Sequence, residues 1–281
     1  MPHNYPPFSV IMPVYAGDEP KYVSKSLKSL HEQSCTPAEV LIIVDGAVPE
    51  SLEQVLSDWK HDSDLPIRLH CIPTNQGLGN ALREGVTEAT HEIVARMDAD
   101  DISVESRFED ELSFLMSNPD VDIVGGEILE FNEEYTDPLT MRTVPTTHSK
   151  IVDEARFKSP MNHATVMFRR ESVLDAGNYR PVDRMEDYDL WIRMILNDAT
   201  FANLPQILLH VRAGGDFFAR RGGIEYAREE FNRQTEFYRR GFIGLPRYVF
   251  NISTRLPFRL VPDPVREFIY YRFARTNQNQ P

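Results

Sequence analysis

The 281-residue chain is short of cysteine, of basic charge and of long apolar runs, and each shortage closes a class of explanation. Two cysteines, Cys35 and Cys71, cannot build the disulfide framework of a secreted scaffold and point to a reducing compartment. No stretch approaches the roughly 18 apolar residues of a membrane span. The opening residues MPHNYPPF lack the basic start and apolar core of a secretory signal, so a cytoplasmic protein is expected. Lys and Arg number 30 against 43 Asp and Glu, a net charge of −13. Such a chain offers no broad basic face to duplex phosphates, and no nucleic-acid partner is expected. Internal repeats and low-complexity tracts are absent too.

What is present is ordinary globular material, 41% hydrophobic and 26% charged, enough for one large core or two lobes sharing it. The charge is unevenly spread. From Arg239 onward there are eight Arg and two acids, which leaves the tail at +6 and the body at −19.

The first half alternates short apolar runs with amphipathic segments. FSVIMPVY (8–15), EVLIIVD (39–45), Ile67–Ile72 and EIVARM (92–97) read as strands. Between and after them, Val23/Leu27/Leu30, Leu52/Val55/Leu56/Trp59, Leu78/Ala81/Leu82/Val86 and Phe108/Leu112/Leu115/Met116 recur at helical spacing. Four βα repeats with short connections predict an α/β fold with a parallel, doubly wound sheet. The second half predicts antiparallel strands at 121–131 and 165–169, a helix at 186–196, a strand at 201–212 containing Pro205, and a polar helix at 222–240. Beyond Gly241, prolines alternate with aromatic and Arg-rich segments.

Ligands of such sheets bind beyond the carboxyl ends of the strands. Those ends carry Pro13-Val14-Tyr15, Asp45-Gly46, Asn75-Gln76-Gly77 and Asp98-Ala99-Asp100-Asp101. Asp98 and Asp100 share one side of an extended chain. So much negative charge beneath a pocket calls for a hard divalent ion, Mg2+ or Mn2+, shared with substrate phosphates. A plainer reading makes Asp101 the N-cap of the next helix. The Gly-containing turn Asn75-Gln76-Gly77-Leu78-Gly79, entering a helix, could offer backbone N–H groups to a phosphate. The third glycine of a dinucleotide fingerprint is missing, which argues against a dehydrogenase.

FSVIMPVY, VLIIVDG, NQGLGNALREG and ARMDADD followed by Arg107-Phe108-Glu109 together resemble the ordered signatures of the inverting, nucleotide-sugar-dependent family 2 glycosyltransferases. The resemblance spans about residues 8–215 and implies the GT-A fold, with a nucleotide-binding half at about 8–118, an acceptor half at about 119–215, and a helical extension at 216–281. It implies that Pro13, Val14, Tyr15 and Asp45 hold the base, UDP being the default nucleotide. Asn75 and Gly77 line the same site, Asp98 lies by ribose and metal, and Asp100 lies on the metal. For Asp45 a turn role beside Gly46 is the alternative.

The Glu186-Asp187 pair in RMEDYDLW resembles the family's acid pair, which makes Asp187 the general base, at a helix start that favours its ionised form. Glu186, His163 and Trp191 become candidates for contact with donor sugar or acceptor, and Arg212 for the diphosphate or for an ion pair with the acidic body. Arg96 and Arg107 flank the Asp cluster and would orient it. Glycines at 214–215 and 222–223 bracket a segment that could cover the site. Residues 239–275, with Arg interleaved among aromatics, would suit a membrane surface or simply pack as solvated helices. Neither the motif nor the spans of processive members occur, so transfer of one sugar to a glycan or lipid-linked saccharide follows. A phosphohydrolase using the Asp98–Asp101 strand end and a catalytically inactive sugar-nucleotide binder are the alternatives.

Overall fold

A computed structural model describes residues 5–132, 138–182, 184–212 and 223–261. Four strands, β1 (Phe8–Tyr15), β2 (Glu39–Asp45), β3 (Ile67–Ile72) and β4 (Ile93–Arg96), lie parallel in the order β3-β2-β1-β4. The register brings Tyr15 opposite Asp45 and Asp45 opposite Ile72, so three strand tips end level. β4 stops opposite Ile11, and the chain after it continues as Asp98–Asp101.

Alternation along β1 and β2 explains the double winding. Val10, Met12, Val40 and Ile42 face α1 (Pro20–His31), α2 (Glu50–Asp62) and, later in the chain, α4 (Arg107–Ser117). Ile11, Leu41 and Ile43 face α3 (Leu78–Glu88). Both faces of the sheet are thus covered, as the continuous apolar runs require.

The later strands complete a nine-stranded sheet among the described residues. β5 (Ile102–Ser103) follows Asp101 directly and pairs with β9 (Phe201–Arg212). That placement overturns Asp101 as a helix cap, because α4 starts only at Arg107 behind Ser106. β8 (Met167–Arg169) runs antiparallel to β4 as expected, whereas β6 (Ile123–Phe131), antiparallel to β8, runs parallel to β4 and to β9; β7 (Pro138–Arg142) adds an outer strand antiparallel to β6. Pro205 survives within β9 because the β6–β9 register jumps from Gly126↔Leu204 to Glu127↔Ile207, a bulge where no ladder N–H is needed.

α5 (His148–Ala155), α6 (Arg170–Asp175) and α7 (Glu186–Leu196) lie on the α3 side of the sheet. α8 (Ile224–Arg239) joins α5 and α7 in a third cluster of Ala155, Tyr188, Ile192, Phe237 and Ile243, against which Tyr248 of α9 (Leu245–Leu260) packs. Between them Glu230 is fully buried, bridged by Arg255 at 2.7 Å and Arg259 at 3.0 Å. Arg240 pairs with Glu236 at 2.7 Å. These three arginines therefore serve internal carboxylates rather than the outer surface that the tail composition suggested. Residues 262–275, the glycine-bracketed segment at 216–221 and the 215/216 boundary lie outside the described residues. No described helix is long and apolar enough to cross a membrane.

Candidate functional site

At the strand tips, Asp45 is 3% exposed and both its oxygens accept backbone N–H groups at 2.8 Å, from Gln76 and from Gly77. Gly46 next to it has φ +84°, and a Cβ there would lie 2.7 Å from the Asn75 nitrogen. The strand end and the 75–77 turn are thereby locked together. Asp45 holds that turn, the alternative the sequence left open. The N–H groups of Gln76 and Gly77, offered by sequence to a phosphate, are given to Asp45 instead. Val14 is buried in the core, so only its backbone faces a ligand, whereas Tyr15 is 47% exposed.

The fourth tip gathers acids. Asp98 pairs with the buried guanidinium of Arg96 and keeps about a third of its side chain exposed (32%). Asp100 follows it, half-buried. Asp101 is 1% exposed; one oxygen accepts the Arg212 N–H at 3.0 Å, and Oδ2 has no hydrogen-bond partner among the described residues. Burial, then the charges of Asp98 and Asp100, push its carboxyl well above the usual range. A fourth acid, Asp18, accepts the Tyr15 N–H at 2.9 Å and is pushed up to about 7 by burial and by Asp100 and Asp98. Its signal in the sequence was a place three residues beyond a strand tip. A buried carboxylate oxygen with no partner among the described residues, amid several acids, suits a hard divalent cation, and Asp98 and Asp100 are the residues that could hold it.

The two flanking arginines separate in role. Arg96 orients Asp98, as expected. Arg107 does not reach the acids: fully buried, it bonds Glu111 at 3.1 Å and the Arg96 carbonyl at 2.7 Å, and so braces the strand end. Arg212 donates its backbone to Asp101 while its guanidinium stacks on Tyr22 at 3.7 Å and Phe131 at 4.6 Å.

The second cluster forms at the start of α7. Met185 sits in the left-handed region (φ 61°), an uncommon state for a side chain with a Cβ, at the entry to Glu186-Asp187. Gly79 at the start of α3 permits this approach: a Cβ there would be 2.5 Å from the Arg180 carbonyl and 3.6 Å from Glu186 Cβ. Asp187 Oδ2 accepts the Ser159 hydroxyl at 2.9 Å. His163 Nε2 lies 2.8 Å from the Tyr179 hydroxyl, and Nδ1 lies 3.9 Å from Glu186. Burial and then Asp187 push Glu186 up to about 7; burial and then Arg96 hold His163 well below its ordinary value. Ligand-type atoms of His163, Glu186 and Asp187 all lie within 4.8 Å, a spacing that would admit a cation. His163 also faces Tyr179 and Asp187 also faces Ser159, so two of the three have a hydrogen-bond partner outside the trio.

Trp191 does not reach the surface. Its ring is fully buried and meets His163 edge-on at 5.7 Å, so it supports that histidine and cannot stack on a sugar. Arg96 links the two clusters: it pairs with Asp98, and its charge acts on His163 and Glu186.

The model of the family described as Glycosyl transferase family 2 matches residues 9–177. An Escherichia coli protein named UDP-Gal:alpha-D-GlcNAc-diphosphoundecaprenol beta-1,3-galactosyltransferase is 35% identical over 275 residues, 98% of this chain and 99% of that one. The amylovoran biosynthesis glycosyltransferase AmsE of Erwinia amylovora is 37% identical over 266 residues, 94% and 97% of the two chains. Staphylococcus aureus TarS 1–349 in complex with UDP-GlcNAc is similar with a TM-score of 0.65 at 17% identity, covering 95% of this chain and 73% of that one. The mannosyltransferase PcManGT of Pyrobaculum calidifontis, in complex with GDP-Man and Mn2+, also gives 0.65 at 17% identity, covering 97% and 77%. The structural likenesses show the fold, which is GT-A.

Proposed function

The chain belongs to glycosyl transferase family 2, and from that premise we propose that it moves one sugar from a UDP-linked donor to a saccharide acceptor carried on a lipid diphosphate, with inversion. The observation that carries the reading is the pairing of two unlike acid clusters through Arg96: an acid-rich group at the strand tips and, at α7, an Asp187 held by the Ser159 hydroxyl. The name of the E. coli relative supports the donor class and the lipid-diphosphate acceptor, and that of the E. amylovora relative, an amylovoran biosynthesis glycosyltransferase, supports a biosynthetic setting.

In this reading the base and ribose lie against Tyr15, Pro13, the Val14 backbone, and the Asn75–Gly77 turn that Asp45 holds. Asp98 and Asp100 would hold Mg2+ or Mn2+, and Asp18 and Asp101 deepen the negative field there. The cation, when bound, neutralises charge on the departing diphosphate. Asp187 takes the proton from the acceptor hydroxyl as its oxygen bonds to the anomeric carbon, and the C–O bond to the diphosphate breaks on the opposite face. His163 and Glu186 flank that hydroxyl, and Tyr179 fixes His163.

The acceptor class also fits the outer side of α9. Leu245, Val249, Phe250 and Leu260 are exposed, Arg247 stands among them, and no acid occurs from Arg239 to Val261. The enzyme is read as working at the cytoplasmic face of a membrane through this side. The function is tested by offering UDP-sugars with Mn2+ and a GlcNAc-diphospholipid acceptor and following UDP release and product mass. Sugar-extended lipid lost in Asp187→Asn supports the reading, and extension undiminished in that variant overturns it.

A further inference from the structure

We infer that Ser159 is a positioning residue: its hydroxyl fixes the plane of the Asp187 carboxylate so that the second oxygen meets the acceptor hydroxyl, and the C-terminal helices fix Ser159. The inference rests on Asp187 being the base.

The Asp terminal torsion is broad and roughly twofold, so an unheld carboxylate presents its oxygens over a wide range of angles. One donor narrows that range, and Ser159 Oγ supplies it to Oδ2 at 2.9 Å from a point 28 residues earlier in the chain. The segment that carries Ser159 is gripped before and after it. The Ala155 carbonyl accepts the Tyr188 hydroxyl of α7 at 2.6 Å. The Arg156 carbonyl accepts Asn251 Nδ2 of α9 at 2.9 Å, and the Phe157 carbonyl accepts the Arg255 guanidinium. Beyond Ser159, Asn162 Nδ2 donates to the Gly126 carbonyl of β6 at 2.8 Å.

Asn251 is itself fully buried and reaches Gln234 of α8 at 2.8 Å, while Arg255 is held by Glu230. Three consecutive carbonyls just ahead of Ser159 are therefore fixed by α7 and α9. A hydrogen bond to the base is thus tied to the helix pair α8 and α9. The same segment presents His163 toward Glu186, so one stretch faces both acids of the pair.

Steady-state kinetics with donor and acceptor varied separately tests this. Ser159→Ala is expected to lower kcat roughly 10- to 100-fold, the scale of a misplaced catalytic group, with both KM values and the melting temperature unchanged. Ser159→Thr keeps the hydroxyl and is expected to recover most of the loss. In an Asp187→Asn background, Ser159→Ala is expected to add nothing, since coupled groups are not additive. Wild-type kcat in Ser159→Ala overturns the inference and leaves the base assignment intact. Equal losses in the Ala and Thr variants, or a further loss on top of Asp187→Asn, also overturn it. Full activity in Asp187→Asn instead removes the base reading on which it rests.

Discussion

At the strand tips, Asp18 and Asp101 are pushed upward by burial and by their neighbours Asp98 and Asp100. Between α7, α8 and α9 the acids meet the opposite treatment. Asp189 is bridged by Arg193 at 2.9 Å, Arg233 at 3.2 Å and Arg180 at 3.7 Å. Glu230 is bridged by Arg255 and Arg259, which, against the cost of burial, hold its carboxyl below the ordinary value. Asp101 and Glu230, both almost fully buried, thus end in different states because two arginines bond Glu230, whereas at the tips Arg96 pairs with Asp98 and Asp101 is left beside several acids. The difference teaches where to look for a ligand: a buried acid with its arginines in place is architecture, and a buried acid without them is a site.

The comparison can be broken most sharply by charge removal. Asp187→Asn, which deletes the base, is expected to cut kcat roughly 10²- to 10⁴-fold with nucleotide affinity intact, read by steady-state kinetics and calorimetry. Glu230→Ala leaves two buried guanidiniums without their acid and is expected to cost about 3–5 kcal/mol of stability, seen in chemical denaturation. Asp18→Asn is expected to do the reverse in the cation-free protein: a higher melting temperature, because repulsion at the tips is relieved, and weaker Mn2+ binding.

A smaller effect comes from pH. Asp18 is raised to about 7, so the folded state binds a proton that the unfolded chain releases above about 4. Acidifying cation-free protein from pH 7 toward 5 should therefore raise its melting temperature, and Asp18→Asn should flatten that rise. Glu230 and Glu236 are lowered, so their contribution is present above the ordinary carboxylate range and fades as pH falls through it. Stability should turn downward there, and Glu230→Gln should blunt the turn. Melting curves across this range in EDTA check both limbs.

The donor half was legible because its strands are long apolar runs whose tips carry the chemistry. β1, β2 and β3 begin and end at the residues their hydrophobic patterns mark. Asp101 was legible as part of an acid cluster but not as a bonded neighbour of Arg212, which lies 111 residues away. β5, β7 and α6 are two to six residues long and take shape only against strands and helices distant in sequence. Trp191 shows the limit from the other side. Next to an acid pair it reads as a sugar platform, yet helical spacing turns it into the core beneath His163. Ser159 had no local signal, since nothing about a serine before proline announces a partner 28 residues on. Arg255 and Arg259 looked like surface charge because their acid, Glu230, is on another helix.

The central claim is that the strand-tip acids are completed by a divalent ion shared with a nucleoside diphosphate. Calorimetric titration of UDP into wild type and Asp100→Asn, each with Mn2+ and with EDTA, tests it directly. The account predicts wild-type affinity falling about tenfold or more, 1.4 kcal/mol or above, when EDTA replaces Mn2+, and no metal dependence in Asp100→Asn. Equal wild-type affinity in Mn2+ and EDTA would contradict it.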